Sequence, residues 1–175
     1  MRDGGLVGAA DAVTALYEAH AFGLIRLAVI MLGDRPAAED VVQEAFCGLY
    51  RRWNALSDTT NALAYVRSSV INGCRSALRR RVRQLTFAGA EASASVSASA
   101  SASAESAALL SEEYRQVLLA IRRLPSRQRE ALVLRYYLDL DESEIASSMR
   151  ISRGTVKSTT SRALAALGRI LEDQS

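Results

Sequence analysis

The sequence has few of the residues from which metal sites and disulfide scaffolds are built. Its 175 residues include two cysteines, Cys47 and Cys74, and one histidine, His20. A structural zinc site takes four Cys or His ligands, so these three cannot complete one. Two cysteines also cannot form the disulfide framework of a small secreted protein, which favours a reducing cytoplasm. The sequence therefore predicts no metal site and a cytoplasmic location.

Long hydrophobic runs and proline are also scarce. The longest apolar run, residues 27–32, is far shorter than the roughly 20 residues that span a bilayer. Residues 1–10 lack the apolar core of a signal peptide. We therefore expect no association with a membrane. Two prolines and few β-branched runs favour an all-α fold, and 49% hydrophobic residues suffice for a buried core.

The clearest domain boundary lies at residues 93–106, SASVSASASASAES, which contain only Ser, Ala, one Val and one Glu. Neither face of this alternating segment has enough apolar surface to bury, so we interpret it as a flexible linker. A surface helix is the alternative, because Ala favours helix. The sequence thus predicts two small helical domains, residues 10–85 and 112–173, joined by a flexible Ser/Ala linker at 86–111.

Basic residues are concentrated in one stretch of each predicted domain. All of the 22 basic residues except Lys157 are Arg, whose planar fork suits phosphates and base edges. Residues 65–83 hold six Arg and no acid, and residues 150–169 hold four Arg, one Lys and no acid. A single such run is usually a solvated helix face, but one in each domain suggests a polyanion held at two points.

The second domain has the pattern of a helix-turn-helix. Asp141 and Glu144 have the spacing of a capping box. Arg150–Ile151 form a short break, after which Ser152 can cap a second helix with an apolar stripe and a basic, hydroxyl-rich face. An ordinary hairpin with a solvated face is the alternative. The expected stripe is Val156, Ala163, Leu164, Leu167 and Leu171. The candidate DNA contacts are Arg153, Thr155, Lys157, Ser158, Ser161 and Arg162, with Thr159 as a further hydroxyl.

The first domain contains three predicted helices, at 14–32, after a cap at Asp34, and at about 63–83. The third helix combines Arg and Asn with nearby aromatics, which suits single-stranded DNA, where bases stack on rings and phosphates meet Arg. Trp53 and the tyrosines can alternatively belong to the core. The candidate single-strand contacts are Tyr65, Arg67, Ser68, Asn72, Arg75, Arg79 and Arg80. In the second domain, 114–124 and 126–138 are predicted supporting helices split at Pro125.

Three segments carry a resemblance to a known family. They are AAEDVVQEAFCGLYRRW (37–53), ALAYVRSSVINGCRSALRRR (62–81) and LPSRQREALVLRYYLDLDESEIASSMRISRGTVKSTTSRALAAL (124–167). Together they resemble the extracytoplasmic-function (group IV) sigma factors of bacterial RNA polymerase. The resemblance covers both domains in order, with the first similar to sigma region 2 and the second to sigma region 4.

This resemblance implies partners and roles for the residues already singled out. The acidic face with Asp40, Gln43 and Glu44 would dock on the clamp helices of the β′ subunit of core RNA polymerase. The helix of Arg67, Asn72 and Arg75 would bind the −10 element and its melted strand. The helix after Ser152 would bind the −35 element, while region 4 also contacts the β flap. Promoter DNA and core polymerase are thus the expected partners, and an anti-sigma protein is a further candidate.

Two other functions remain as alternatives. A stand-alone transcriptional regulator would bind operator DNA through residues 141–167, but it has no need of a second basic surface in the first domain. An enzyme acting on nucleic acid would need catalytic groups, and the sequence offers no His beside a nucleophile and carboxylate, no Gly-rich phosphate loop and no metal set. We therefore expect neither catalysis nor a cofactor.

Overall fold

The computed structural model describes residues 4–56, 61–87 and 112–173, and the elements within these ranges are helical, with no strand among them. The all-α prediction is confirmed. The chain divides into two compact units between residues 99 and 100. Of the predicted Ser/Ala linker at 86–111, residues 88–111 lie outside the described residues.

Residues 4–56 and 61–87 of the first unit form three long helices. Helix α1 spans Gly4–Leu32, α2 spans Arg35–Arg52, and α3 spans Ala62–Phe87, with a 3₁₀ turn at Trp53–Ala55 after α2. The sequence placed the start of α1 at residue 14, which is ten residues too late. The helix continues upstream because Ala9, only 1% exposed, belongs to the core of this unit.

The turn between α1 and α2 follows from two residues. Gly33 ends α1 with φ 75°, a left-handed conformation that glycine adopts without the steric cost of a side chain. Asp34 then caps α2, because its carboxylate accepts a hydrogen bond from the backbone N–H of Ala37 at 3.3 Å. Pro36 fits in the first turn, where its missing N–H has no helical partner. The cap predicted at Asp34 is confirmed.

The core of the first unit lies where the three helices meet. The helical periodicity predicts apolar stripes of Val42, Ala45, Phe46, Leu49 and Trp53 on α2 and of Val66, Val70, Ile71, Cys74 and Leu78 on α3. These residues are buried except Trp53 and Leu78, which are half-buried. The stripe predicted for α1 is only partly correct, because Leu27 and Ile30 are buried but Leu16, Ile25 and Val29 are half-buried. The large buried side chains are Leu24, Leu27, Met31, Val42, Phe46, Leu49, Val66, Val70, Ile71 and Cys74.

Helix α1 is more apolar than its longest uninterrupted run suggests. Residues 8–32 have the length and composition of a membrane span, with a mean hydropathy of 1.5 over an 18-residue window. Interspersed Ala residues raise this average without forming one long run. The helix of a protein core passes the same test, and Leu27, Ala28 and Met31 are fully buried against the rest of the unit. Tyr17 also packs edge-on against Phe46 of α2, with ring centroids 5.0 Å apart.

The described part of the second unit, residues 112–173, contains four α-helices. They are α4 (Glu112–Arg123), α5 (Ser126–Leu132), α6 (Glu142–Met149) and α7 (Arg153–Glu172). The sequence predicted one helix over 126–138, whereas α5 ends at Leu132 and continues as a π-helical turn to Tyr137. The core of this unit combines residues of all four helices, among them Ala120, Leu134, Ile145, Met149 and Val156.

Helix α7 is turned slightly from the orientation that its sequence predicted. Val156 and Ala163 are buried as expected, but Leu164 is 44% exposed and Thr159 is only 8% exposed. At about 100° per residue, Thr159 and Ala163 lie on one side of Val156 and Leu164 lies on the other. The core of the unit packs on the side of Thr159. The assignment of Leu164 to the buried stripe was therefore wrong.

Candidate nucleic-acid interface

Helices α6 and α7 form a helix-turn-helix whose ends are fixed by capping. The Asp141 carboxylate accepts hydrogen bonds from the backbone N–H groups of Ser143 and Glu144, at 2.7 and 2.8 Å. The Glu144 carboxylate accepts one from the backbone of Asp141 at 2.8 Å, which completes the capping box. At the start of α7, Ser152 Oγ accepts a hydrogen bond from the Thr155 N–H at 3.1 Å. Both predicted caps are confirmed.

The turn between the two helices is a tight C-terminal cap. Arg150 has φ 54° and ψ 50°, and the N–H of Ile151 donates to the carbonyl of Ala146 at 3.1 Å. This is the hydrogen-bond pattern of a Schellman motif, in which a left-handed residue reverses the chain at once. The turn therefore needs only Arg150, Ile151 and Ser152 to join α6 to α7.

The outer face of α7 presents basic and hydroxyl side chains to solvent. Arg153, Lys157 and Ser161 follow one another at spacings of four, so they share one face of the helix. Two neighbouring groups are preorganised, because Arg162 Nε donates to the Ser158 carbonyl at 3.2 Å and Ser158 Oγ donates to that of Thr155 at 3.1 Å. All six candidate contacts of the predicted −35 helix are exposed: Arg153, Thr155, Lys157, Ser158, Ser161 and Arg162.

Thr159 does not belong to this face. Its side chain is buried on the inner side of α7, so it cannot reach a ligand on the outer face. The suggestion that Thr159 adds a hydrogen bond to DNA was therefore wrong. The error has the same cause as that at Leu164, since a sequence of small hydroxyl residues leaves the rotation of the helix ambiguous.

Four of the candidates on α3 lie along one line of the helix. Ser68, Asn72, Arg75 and Arg79 are spaced by four, three and four residues, so they lie on one face. We call these four residues the α3 line. Arg75 Nη1 donates to Asn72 Oδ1 at 3.0 Å, and Arg79 Nη2 donates to Ser76 Oγ at 3.0 Å. These contacts hold both guanidinium groups close to the helix surface.

The other three candidates on α3 point elsewhere. Arg67 is half-buried, and about 100° of helix rotation separates it from Ser68. Tyr65 is half-buried and its hydroxyl lies beside Gly48 of α2. Arg80 faces the same helix as Tyr65. The candidates at 65–80 thus divide between the α3 line and the side of α3 that faces α2.

A groove of about 1080 Å³ lies between α2 and α3. It brings together residues that the sequence assigned to different partners. Its lining includes Tyr65 and Arg80 of the predicted −10 surface, together with Asp40, Gln43 and Glu44 of the predicted polymerase surface. We call it the α2–α3 groove. Acidic and basic candidate residues of the first unit therefore line the same groove and do not lie on opposite faces of the unit.

One of the acids in this groove already has a partner in the same helix. Glu44 Oε1 accepts a hydrogen bond from Arg51 Nη2 at 2.6 Å, although both side chains are well exposed, at 74% and 62%. This hydrogen bond and the attraction to the carboxylate raise the pKa of the Arg51 guanidinium. Asp40, in contrast, forms no ion pair within the part of the chain that the structure describes. Arg51, Arg52 and Arg80 also line the groove, so Asp40 is the carboxylate there that remains available to a basic partner.

Several positioning residues were not found from the sequence. Arg129 Nη2 donates to the carbonyls of Arg122 and Leu124, at 2.7 and 3.1 Å, and so caps the end of α4. Arg127 Nη1 contacts the Met149 carbonyl at 3.4 Å and reaches the helix-turn-helix from α5. Gly73 allows α3 to approach α2 closely. Only the glycine had a signal, because a Gly inside a helical pattern suggests a packing constraint.

Comparisons with known families match both units. Residues 16–84 match the family described as Sigma-70 region 2, and residues 114–167 match that described as Sigma-70, region 4. The two segments cover well over half of the chain. The α3 line lies in the first matched segment, and the helix-turn-helix lies in the second.

Individual relatives extend over most of the chain. It is 32% identical to an RNA polymerase sigma-E factor of Streptomyces avermitilis, over 86% of this chain and 80% of that protein. It is 29% identical to the ECF RNA polymerase sigma factor SigL of Mycobacterium tuberculosis, over 97% of this chain and 94% of the relative. These alignments include both units and the segment between them.

Two solved structures have the same fold. The sigma factor RpoE of Bartonella quintana, solved with the anti-sigma factor NepR, matches with a TM-score of 0.67 and 24% identity, over 85% of this chain and 89% of that one. CnrH, solved with the cytosolic domain of CnrY, matches with a TM-score of 0.62 and 20% identity, over 99% and 100% of the two chains. At these identities the likeness concerns the fold alone.

Proposed function

The chain belongs to the extracytoplasmic-function group of the sigma-70 family and is an RNA polymerase sigma factor that directs transcription initiation, and from this premise we propose how it holds the promoter. Helix α7 enters the major groove of the −35 element. The α3 line binds the melted strand of the −10 element. Residues 10–85 act as sigma region 2, residues 112–173 as region 4, and residues 86–111 as the linker between them.

The exposed face of α7 supports the proposed contact with duplex DNA. In a helix-turn-helix the N-terminal residues of the second helix approach the base edges first. Arg153 and Lys157 occupy the first two turns of α7, are exposed, and form no hydrogen bond or ion pair with a described residue. Arg can donate two hydrogen bonds to guanine, and the hydroxyls of Thr155 and Ser161 can bond to several base edges.

The α3 line supports the proposed contact with a single strand. Arg75 and Arg79 can follow the phosphates of a strand that runs along the helix, and Asn72 can bond to a base edge. Extruding a base costs a few kcal/mol. The α3 line has no aromatic ring on which a base could stack, so its arginine contacts and the polymerase must supply this energy.

The α2–α3 groove supports the proposed contact with core polymerase. Its acidic side, with Asp40, Gln43 and Glu44, offers carboxylates to a basic partner such as the β′ clamp helices, while the second unit meets the β flap. An anti-sigma protein is a further proposed partner, since the homologous fold of the Bartonella quintana factor was solved with one. The protein acts in the cytoplasm as a binding factor and catalyses no reaction itself.

The observation that carries the proposal is the α3 line. A helix-turn-helix occurs in many stand-alone regulators, but a regulator needs no second arginine-bearing surface in its other unit. The test is run-off transcription with core RNA polymerase on genomic fragments, comparing the unchanged chain with Arg75→Ala. We expect the unchanged chain to give start-site-specific transcripts. Arg75→Ala should lose these transcripts because the promoter does not melt, which the permanganate reactivity of unpaired thymines measures.

Matched variants make this experiment specific. Arg81 lies two residues after Arg79, about 200° around α3, and Arg169 is exposed in the last turn of α7. Arg81→Ala and Arg169→Ala should leave the transcripts unchanged, whereas Arg153→Ala should prevent promoter binding before melting. Full activity of both Arg75→Ala and Arg153→Ala would overturn the proposed assignment of the two surfaces.

A further inference from the structure

Arg150, in the turn of the helix-turn-helix, has a backbone conformation that suits glycine better than arginine. Its φ of 54° and ψ of 50° lie in the left-handed region, where the Cβ of an L-residue crowds the following carbonyl. Glycine is the usual residue at this position of a Schellman motif, because it has no Cβ. The chain therefore carries arginine where glycine would give a more stable turn.

The turn itself does not need the Arg150 side chain. Its conformation is imposed by backbone hydrogen bonds, with Ile151 N–H donating to Ala146 at 3.1 Å and Ser152 capping α7. The Arg150 side chain is exposed, and its guanidinium forms no hydrogen bond or ion pair with a residue that the structure describes. A cation near the end of α6 does interact favourably with the helix dipole, but this surface effect is smaller than the cost of the left-handed backbone.

Arg150 lies close in sequence to the start of α7. It lies three residues before Arg153, at the entrance of the helix that we propose enters the major groove. In a helix-turn-helix the first helix crosses the sugar-phosphate backbone and the second lies in the groove, so the turn that joins them lies close to the backbone. The acids of α6, Glu142 and Glu144, are near the opposite end of that helix, about 12 and 9 Å away along its axis. Residues 150–169 contain no acid that could compete for the guanidinium.

We infer that Arg150 binds a DNA backbone phosphate beside the groove that α7 occupies, and that this contact is why arginine replaces glycine in the turn. The inference rests on the proposed function of α7. A phosphate contact fixes the register of the helix on the duplex without selecting a base. Arg150 thus anchors the entrance of α7, while Arg153 and Lys157 meet the base edges.

The test compares stability and DNA binding in the full chain, because the inference predicts that the two change in opposite directions. Arg150→Gly should raise the unfolding midpoint of the second unit by about 4 °C, since the left-handed strain is relieved. It should also weaken binding to a fluorescein-labelled promoter fragment, taken from the run-off transcription screen, by about twofold to fivefold. The slope of log affinity against log salt should decrease in magnitude by about 0.9, the value for one lost phosphate contact.

Asp139→Gly is the matched control, because Asp139 is the other described non-glycine residue with a positive φ, at 53°. It should raise the midpoint without weakening binding. Arg150→Lys should keep the salt slope and the unfolding midpoint of the unchanged chain.

An unchanged affinity and salt slope in Arg150→Gly would overturn the inference, provided that Arg153→Ala weakens binding. If neither Arg153→Ala nor Arg150→Gly weakens binding, or if the unchanged chain does not bind, the proposed function of α7 is overturned as well.

Discussion

An ideal Cβ on Gly73 would lie 2.7 Å from Cγ1 of Val41, so helices α3 and α2 approach each other at this point more closely than a side chain on α3 permits. Both residues are half-buried near the middle of their helices. The approach sets the width of the α2–α3 groove, and Tyr65 and Arg80 line that groove on either side of Gly73. The close packing therefore links the stability of the first unit to the shape of its candidate binding surface.

Replacing Gly73 by Ala should destabilise the first unit. Alanine is the better helix former by about 1 kcal/mol, but overpacking costs about 1–3 kcal/mol. Val41 is β-branched and has essentially one rotamer in a helix, so it cannot easily move away. We expect a net loss of about 1 kcal/mol in the free energy of unfolding, measured by denaturant titration of the full chain.

Gly48→Ala is the control for this prediction. A Cβ at Gly48 would lie 3.5 Å from the Tyr65 hydroxyl, which is an ordinary contact. The free energy of unfolding of this variant should rise by up to about 1 kcal/mol, because alanine has the higher helix propensity. An equal gain from Gly73→Ala would mean that α2 and α3 can separate at no cost.

Replacing Arg129 by Met should destabilise the second unit. The guanidinium of Arg129 supplies hydrogen bonds to two carbonyls at the end of α4, and its own pKa is lowered by burial and by Arg122. Met has a similar length but no donor, so the carbonyls of Arg122 and Leu124 lose these bonds. We expect the free energy of unfolding to fall by about 1–3 kcal/mol.

Arg127→Met provides the comparison, because Arg127 is exposed and its hydrogen bond to the Met149 carbonyl is long, at 3.4 Å. This variant should lower the free energy of unfolding by less than about 0.5 kcal/mol. Chemical unfolding monitored by hydrogen exchange of the α4 and α5 amides distinguishes the two variants. Equal effects at both positions would show that Arg129 is not a specific cap.

The double variant Asp40→Asn, Glu44→Gln should weaken association with core polymerase. Both side chains line the α2–α3 groove, and neutral amides of the same size remove charge without changing packing. Because Glu44 is already paired with Arg51, we expect Asp40→Asn to account for most of the effect. Affinity for core polymerase can be measured by fluorescence anisotropy of the labelled chain.

Glu39→Gln is the matched variant for this surface. Glu39 is an exposed acid on the same helix, but it pairs with Arg35 at 2.7 Å and does not line the groove. Its replacement should leave polymerase affinity unchanged. Equal losses of polymerase affinity in Glu39→Gln and in Asp40→Asn would mean that the affinity depends only on the total charge of α2.

Arg79→Ala should reduce the salt dependence of single-strand binding by the polymerase complex. One lost phosphate contact changes the slope of log affinity against log salt by about 0.7 on single strands. Arg80→Ala should change this slope less, because Arg80 faces the α2–α3 groove and Arg79 lies on the α3 line. Identical slopes for the unchanged chain and Arg79→Ala would show that Arg79 does not touch the strand backbone.

The sequence alone determined the helical class and the local signals. Asp34, Asp141 and Ser152 cap helices because their side chains bond to backbone groups two or three residues away, and such interactions are local. The resemblance to sigma factors was likewise present in the residues, since the family comparisons recover the same two regions. The buried stripes of α2 and α3 follow from helical periodicity.

Only the tertiary structure decided how each helix is rotated and what its polar residues face. The burial of Thr159, the exposure of Leu164 and the separation of Arg79 from Arg80 depend on which neighbouring helix packs against each side. The pairing of Glu44 with Arg51 and the close approach of Gly73 to Val41 have the same origin. Periodicity gives the width of an apolar face, but its orientation is set by contacts between residues distant in sequence, which no local pattern contains.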